Sequence, residues 1–237
     1  KPKFIFDMVV KLMSDGLNMS RRIRRTPYTD SVEKLGVRGF SVVNHMLLPK
    51  AFQPTIEEDY WHLRENVQIW DVSCQRQVQI SGPDATTLVQ KLTPRSIQNM
   101  EIGKCFYIPM LNENAGMIND PVLLKLDDDM FWISIADSDI LLWAKGYSLG
   151  LNLNVNIEEP DVYPLAIQGP KAVEFLQQFT ENNLSEITYY TFEYGTFCGI
   201  ENIMISATGY TGSGGFEIYM PNEAAHQIWD TLVGAGL

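Results

Sequence analysis

Residues 209–218 read Gly-Tyr-Thr-Gly-Ser-Gly-Gly-Phe-Glu-Ile, glycines and a serine crowded between two runs of β character, 203–207 and 216–220. Glycine admits positive φ and lets a ligand come close to the backbone, so a flat molecule could lie against such a turn. Tyr210 offers a ring for stacking, and Glu217 a carboxylate that could accept from N–H donors. The spacing fits a plain hairpin with a glycine-rich loop equally well, and both readings stay open here. The Gly-Lys-Ser/Thr ending of a phosphate loop is absent, as is the G-x-G-x-x-G spacing of a dinucleotide turn.

Other residues with chemical potential point away from metals. Cys74, Cys105 and Cys198 are far apart with no C-x-x-C, the pattern of reduced cytosolic thiols rather than of a disulfide frame or zinc site. His45, His62 and His226 are isolated, and no H-E-x-x-H occurs, so no metal is expected. Asp127-Asp128-Asp129 lacks a calcium-loop pattern and reads as a solvated turn. Tyr60, Trp61, Trp70, Tyr107, Trp132 and Trp143 could present aromatic faces to a cation, or simply pack.

The elements that must hold these residues follow from composition and pattern. A chain of 237 residues can bury a sizeable core in one or two domains. A net charge of −11 argues against a nucleic-acid partner, and no apolar run reaches membrane-span length. The cluster Arg21, Arg22, Arg24, Arg25 reads as a solvated N-terminal segment. Helices are expected over 54–63, 83–92, 137–149, from 170 onward, and over 222–232. Strands are expected over 67–72, 77–81, 105–111, 122–126, 130–136, 160–169, 189–192, 197–199 and 203–207. Helices and strands interleave without a strict βαβ period, so the class is α+β. The best internal boundary lies near 158–160, giving one domain over 20–158 and a second over 159–237.

Four motifs in order carry a resemblance. They are Asp71-Val72-Ser73, Gly116-Met117-Ile118-Asn119-Asp120, Leu165-Ala166-Ile167-Gln168-Gly169-Pro170 and the glycine turn with Glu217. Over about residues 45–237 the chain resembles the folate-binding aminomethyltransferases, the glycine-cleavage T-protein and its relatives. The resemblance implies two domains of a three-domain cloverleaf, with a β-rich C-terminal domain missing. It also marks 1–19 as an extension outside the family and Met19 as the true start. Tetrahydrofolate is the implied co-substrate. Tyr107, Tyr210 and Glu217 are its implied contacts, with Glu217 pairing in bidentate fashion to the pterin.

The chain departs from the family at the reacting end. Asn119 stands where T-proteins carry their catalytic Asp, and only the second acid, Asp120, remains. Cys74-Gln75-Arg76-Gln77 replaces H-M-G-Q, and Ser134-Ile135-Ala136 replaces S-N-A. Phrases such as Thr26-Pro27-Tyr28-Thr29-Asp30 and Asn119-Asp120-Pro121-Val122 are similar to one branch, the demethylases of dimethylsulfoniopropionate. That likeness implies transfer of an S-methyl group to tetrahydrofolate, with Asn119 and Asp120 at the reacting end. Trp132 and Tyr60 are the implied faces for a small-molecule sulfonium, and Arg76 the implied partner of its carboxylate. A cytoplasmic location is implied, and a homodimer is allowed. Glycine-cleavage aminomethyl transfer and a non-catalytic folate-binding module are the competing readings.

Overall fold

The computed structural model describes residues 22–52, 54–137 and 139–237. The expected extension 1–19 and Arg21 lie outside these residues. Chain order begins with α1 (Thr29–Lys34), then the hairpin β1 (Phe40–Val43) and β2 (Met46–Pro49). Next come α2 (Ile56–Glu65), β3 (Gln68–Asp71), β4 (Gln77–Ser81) and α3 (Ala85–Leu92). Short strands β5 (Cys105–Tyr107), β6 (Met110–Leu111) and β7 (Met117–Asn119) precede the hairpin β8 (Val122–Asp127) and β9 (Met130–Ser134). α4 (Ile140–Gly150), β10 (Asn156–Glu158), β11 (Tyr163–Gln168) and α5 (Ala172–Leu176) follow. The described chain ends with β12 (Phe192–Phe197), β13 (Ile200–Ser206), β14 (Gly215–Met220) and α6 (Asn222–Gly234).

Two five-stranded antiparallel sheets organise the molecule, in the orders β10-β4-β9-β8-β5 and β12-β13-β14-β11-β3. Successive strand side chains point to opposite faces, so each sheet sorts its residues by parity. In the first sheet, Val78, Ile80, Phe131 and Ile133 face α3 and α4, where Leu88, Val89, Leu92 and Ile140 complete a core. In the second, Leu165, Ile167, Ile205, Phe216 and Ile218 face α1, α5 and α6, with Val32, Leu176, Ile228 and Trp229. The opposite parity of both sheets meets in a third cluster of Cys105, Leu124, Phe192, Met204 and Tyr219. The two sheets are also stitched at an edge: Cys105 N donates to Tyr190 O at 2.8 Å and Phe192 N to Gly103 O at 2.9 Å.

The architecture is α+β, and most elements lie where the pattern puts them. The expected strand over 105–111 divides into β5 and β6, because Pro109 interrupts it and has no N–H to continue a ladder. The expected strands at 189–192 and 197–199 give way to one strand, β12, turning through Cys198 and Gly199 at φ 52° and 78° into β13. Tyr190, at φ 63°, lies before that strand. The hairpin β1–β2 is a further element; its turn holds Asn44 and His45 at φ 51° and 62°. The helix expected at 54–63 starts on a capping box, with Glu58 N donating to Thr55 Oγ1 and Thr55 N to Glu58 Oε2. Arg24 and Arg25 are ion-paired, to Glu159 and to Asp30 and Glu33, so that segment is anchored rather than simply solvated.

Candidate functional site

The glycine-rich segment is the loop of the β13–β14 hairpin, in which Ser206 stands opposite Glu217 and Ile205 opposite Ile218. Its spine is Gln168, which is buried at the end of β11. Gln168 Nε2 donates to Thr208 O at 3.2 Å and to Phe216 O at 3.1 Å, one carbonyl at each end of the loop. Gln168 Oε1 accepts from Thr211 Oγ1 at 3.0 Å. This explains two of the motifs together. A Cβ on Gly209 would fall 2.2 Å from Gln168 Oε1, and one on Gly215 would fall 2.3 Å from the Ile167 carbonyl oxygen. From outside, Arg64 on α2 donates to Ser213 Oγ at 2.9 Å and to Gly212 O at 3.3 Å. The Tyr210 ring is 64% exposed and meets Trp70 edge to face, centroids 6.4 Å apart.

Glu217 points from β14 into the seam between the sheets and is buried there. Thr208 Oγ1 donates to its Oε2 at 2.5 Å and Tyr219 OH donates to the same oxygen at 3.1 Å. No described residue donates to Oε1. A carboxylate oxygen has two lone-pair directions, so Oε2 is filled and both remaining acceptor sites belong to Oε1. In this arrangement the acceptor sites left for a ligand's donors lie on Oε1. Burial pushes the Glu217 carboxyl above its ordinary value, against the lowering effect of the Thr208 and Tyr219 hydrogen bonds. The network continues into the first sheet. Ser134 on β9 lies beside the Tyr219 side chain, and Gln77 Nε2 donates to Ser134 Oγ at 3.0 Å. Among the described residues, Gln77 Oε1 is buried without a hydrogen-bond partner, as is Asn44 Oδ1.

The remaining sequence-derived residues are distributed around this seam. Asn119 is buried on β7 and bridges the β9–α4 connection: its Nδ2 donates to Asp137 O, and its Oδ1 accepts from Ala136 N at 3.3 Å. Asp120, next in the chain, is exposed and accepts from Tyr107 OH at 3.1 Å. The pair Asn119 and Asp120 thus splits, one side chain inward and one outward, while Tyr107 joins Asp120. Trp132 on β9 donates to Gln79 Oε1 at 2.9 Å and tilts against Tyr219, centroids 6.2 Å apart. It borders a cleft of about 640 Å³, along with Tyr194, Met204 and Tyr219. Tyr60 is exposed on α2 against Trp61, with no ring contact to Trp132 among the described residues. The Arg76 fork is filled by Glu159, with Nε donating to Oε1 at 2.9 Å and Nη2 to Oε2, so it is committed within the protein. Among the described residues, no group of three His, Cys, Asp or Glu side chains could hold a metal ion. No described helix is long and apolar enough to cross a membrane.

Sequence reasoning missed Thr208, Tyr219, Ser134 and Gln77 as members of the site. One signal was available: Tyr219 and Ser206 share the parity of Glu217 on paired strands, so all three face the same side. Gln77 and Ser134 are opposed across β4 and β9, but only the packing of the two sheets reveals that they approach Tyr219.

An open carboxylate oxygen, an unpartnered buried amide oxygen and an exposed ring on a glycine turn suit a planar heteroaromatic with N–H donors on its edge. The residues present therefore fit a pterin. The family described as GCVT N-terminal domain matches residues 28–237. The chain belongs to this family, that of the glycine-cleavage aminomethyltransferases. It is 41% identical over 218 residues to the dimethylsulfoniopropionate demethylase DmdA of Ruegeria pomeroyi, covering 92% of this chain and 59% of that protein. It is 33% identical over 221 residues to an aminomethyltransferase of Bacteroides fragilis, covering 90% and 59%. The aminomethyltransferase T structure from Bartonella henselae shares the fold, with a TM-score of 0.77 at 22% identity over 90% of this chain and 57% of that one. The chain thus spans about three fifths of the length of these curated relatives.

Proposed function

We propose that the protein transfers the S-methyl group of dimethylsulfoniopropionate to N5 of tetrahydrofolate, giving methylmercaptopropionate and 5-methyl-tetrahydrofolate. The observation that carries this reading is the role of Asn119. Its amide both donates, to Asp137 O, and accepts, from Ala136 N. An ionised carboxylate at this position could only accept. The position that holds the T-protein carboxylate is therefore built here as an amide, within the structural frame.

Methyl transfer from a sulfonium tolerates that change. The S–CH₃ bond breaks to release a neutral thioether, the N–CH₃ bond forms, and the N5 proton passes to solvent. Tetrahydrofolate supplies the neutral amine that takes the methyl group. The protein's task is mainly to align donor and acceptor, which alone can supply a large share of the rate. Glu217 Oε1 would hold the pterin edge, with Tyr210 beside it. Trp132, set against Tyr219, would offer an aromatic face to the sulfonium without a nucleophile that could be alkylated. Breaking the C–N bond in aminomethyl transfer needs proton management, where a carboxylate helps.

The similarity to the Ruegeria demethylase supports this assignment, and the names of the other relatives support aminomethyl transfer as the second reading. The deciding experiment supplies the complete protein with tetrahydrofolate and dimethylsulfoniopropionate and follows both products by mass spectrometry. The expected result is equimolar thioether and methylated folate. Release of ammonia from an aminomethyl-lipoyl carrier, with no reaction of the sulfonium, would overturn it in favour of the second reading.

A further inference from the structure

We propose that Thr208 and Tyr219 are positioning residues that clamp Glu217 through one oxygen, Oε2, so that Oε1 is presented as the acceptor for a ligand's N–H donors. The ligand class rests on the folate reading above; the clamp itself rests on geometry. Two hydroxyls from different positions converge on Oε2, at 2.5 Å from Thr208 and 3.1 Å from Tyr219. Each hydroxyl is itself held. Thr208 Oγ1 lies 3.0 Å from Ser206 Oγ, within the second sheet's hairpin. The Tyr219 ring is backed by Trp132 of the first sheet, centroids 6.2 Å apart. The carboxylate is thus held by two hydroxyls of the second sheet's hairpin, one of them backed by the first sheet, and cannot rotate to exchange its oxygens without breaking two hydrogen bonds.

The charges around Glu217 make the clamp matter. The titratable groups facing it are Cys105 from β5, Tyr190, Tyr210 and Tyr219. Cys105 is pushed up to about 12 by burial, burial also raises Tyr190 and Tyr219, and all of these, with the exposed Tyr210 phenol, are neutral near pH 7. No cation stands among them. The Thr208 and Tyr219 hydrogen bonds are therefore what opposes burial at Glu217, favouring the ionised, accepting form where no Arg or Lys does so. Losing one donor favours the protonated form, which presents a hydroxyl donor and accepts ligand N–H groups less well.

The test uses Tyr219→Phe, Thr208→Val and the conservative Thr208→Ser. Selective ¹³C labelling of glutamate side chains reads the titration of Glu217 in the ligand-free protein, with Glu217→Gln identifying its signal. The midpoint should rise in Tyr219→Phe and in Thr208→Val and return towards the parent in Thr208→Ser. Tetrahydrofolate affinity is then measured between about pH 6 and pH 8. Towards the acid end Tyr219→Phe and Thr208→Val should lose affinity more steeply than the parent, ending roughly tenfold weaker than it there. A purely structural role would weaken binding equally at every pH. Folded variants with an unchanged Glu217 titration would overturn the clamp, whatever their affinity. If the parent binds no tetrahydrofolate, the folate reading fails, and the titration still decides the clamp.

Discussion

Asp71 shows how one buried carboxyl can set a pH response. It accepts from Thr26 Oγ1 at 2.5 Å and from Ser73 N at 3.1 Å, and burial raises it from 3.8 to about 6. The folded state therefore binds this proton more tightly than the unfolded chain does. Its contribution to stability is complete below the unfolded value of 3.8 and is lost as pH rises through about 6. Asp71→Asn should remove that component, which is at most about 3 kcal/mol. Thermal unfolding of both proteins from about pH 4 to pH 7.5 checks this; parallel curves would refute it. Asn119 gives the complementary case. Asn119→Asp keeps the size but replaces the donor to Asp137 O by a second acceptor facing that carbonyl. Urea denaturation should show a loss of about 1–3 kcal/mol. An undisturbed midpoint would mean the amide is not needed, weakening the argument that links this position to the chemistry. At this scale the sequence exposed the motif residues but not their partners. Asp71, Gln168 and Glu217 stand out as types in an order, whereas Thr208, Tyr219 and Gln77 acquire meaning only from what they touch.

The glycine loop is the element on which the candidate site depends, and its glycines are not equivalent. Gly215 has φ 119°, and a Cβ there would fall 2.3 Å from a backbone oxygen that cannot move aside. Gly212 has φ 65° and open space around the missing Cβ. Gly215→Ala should cost about 3 kcal/mol or more and loosen the start of β14, while Gly212→Ala should cost only about 1 kcal/mol. Chemical denaturation separates the two; equal losses would show that the Gln168 spine does not hold the loop as described. Amphipathic elements were the legible ones. Gln77–Ser81 alternates polar and apolar residues and forms the strand its pattern predicts, and the 222–232 helix places Ile228 and Trp229 in the core. Irregular elements were not. The β1–β2 turn uses Asn44-His45 rather than an Asn-Gly signal, and β12 carries exposed Glu193 and Tyr194 in place of alternation.

For the molecule as a whole, the decisive feature is the passage of the chain from one sheet to the other. The chain crosses once from β3 to β4 and back again from β10, at an edge of the first sheet, to β11 inside the second, so residues between Glu158 and Tyr163 carry the return crossing. Glu159 sits there and binds two arginines. Arg76 comes from the approach to β4, and Arg24 from the segment before α1, whose Nη2 reaches Glu159 Oε1 at 2.8 Å. Burial alone would raise the Glu159 carboxyl, but the Arg76 and Arg24 guanidiniums overcome it and hold the group below its ordinary value. The sign is opposite to that of Asp71: this contribution is present above the unfolded value and lost as pH falls through the folded one. The Arg76 side chain is only 15% exposed, so removing its partner strands a mostly buried charge. Arg24, at 44%, stays in water and loses little. Glu159→Ala should therefore cost about 2 kcal/mol, below the range for a fully buried pair because solvent reaches part of this one. Arg76→Met in the same background should recover much of that loss, since it removes the stranded charge while keeping an apolar stem. A double-mutant cycle by urea denaturation measures both terms. Additive losses would mean that Arg76 and Glu159 are stabilised separately and that the ion pair does not fasten the crossing between the sheets.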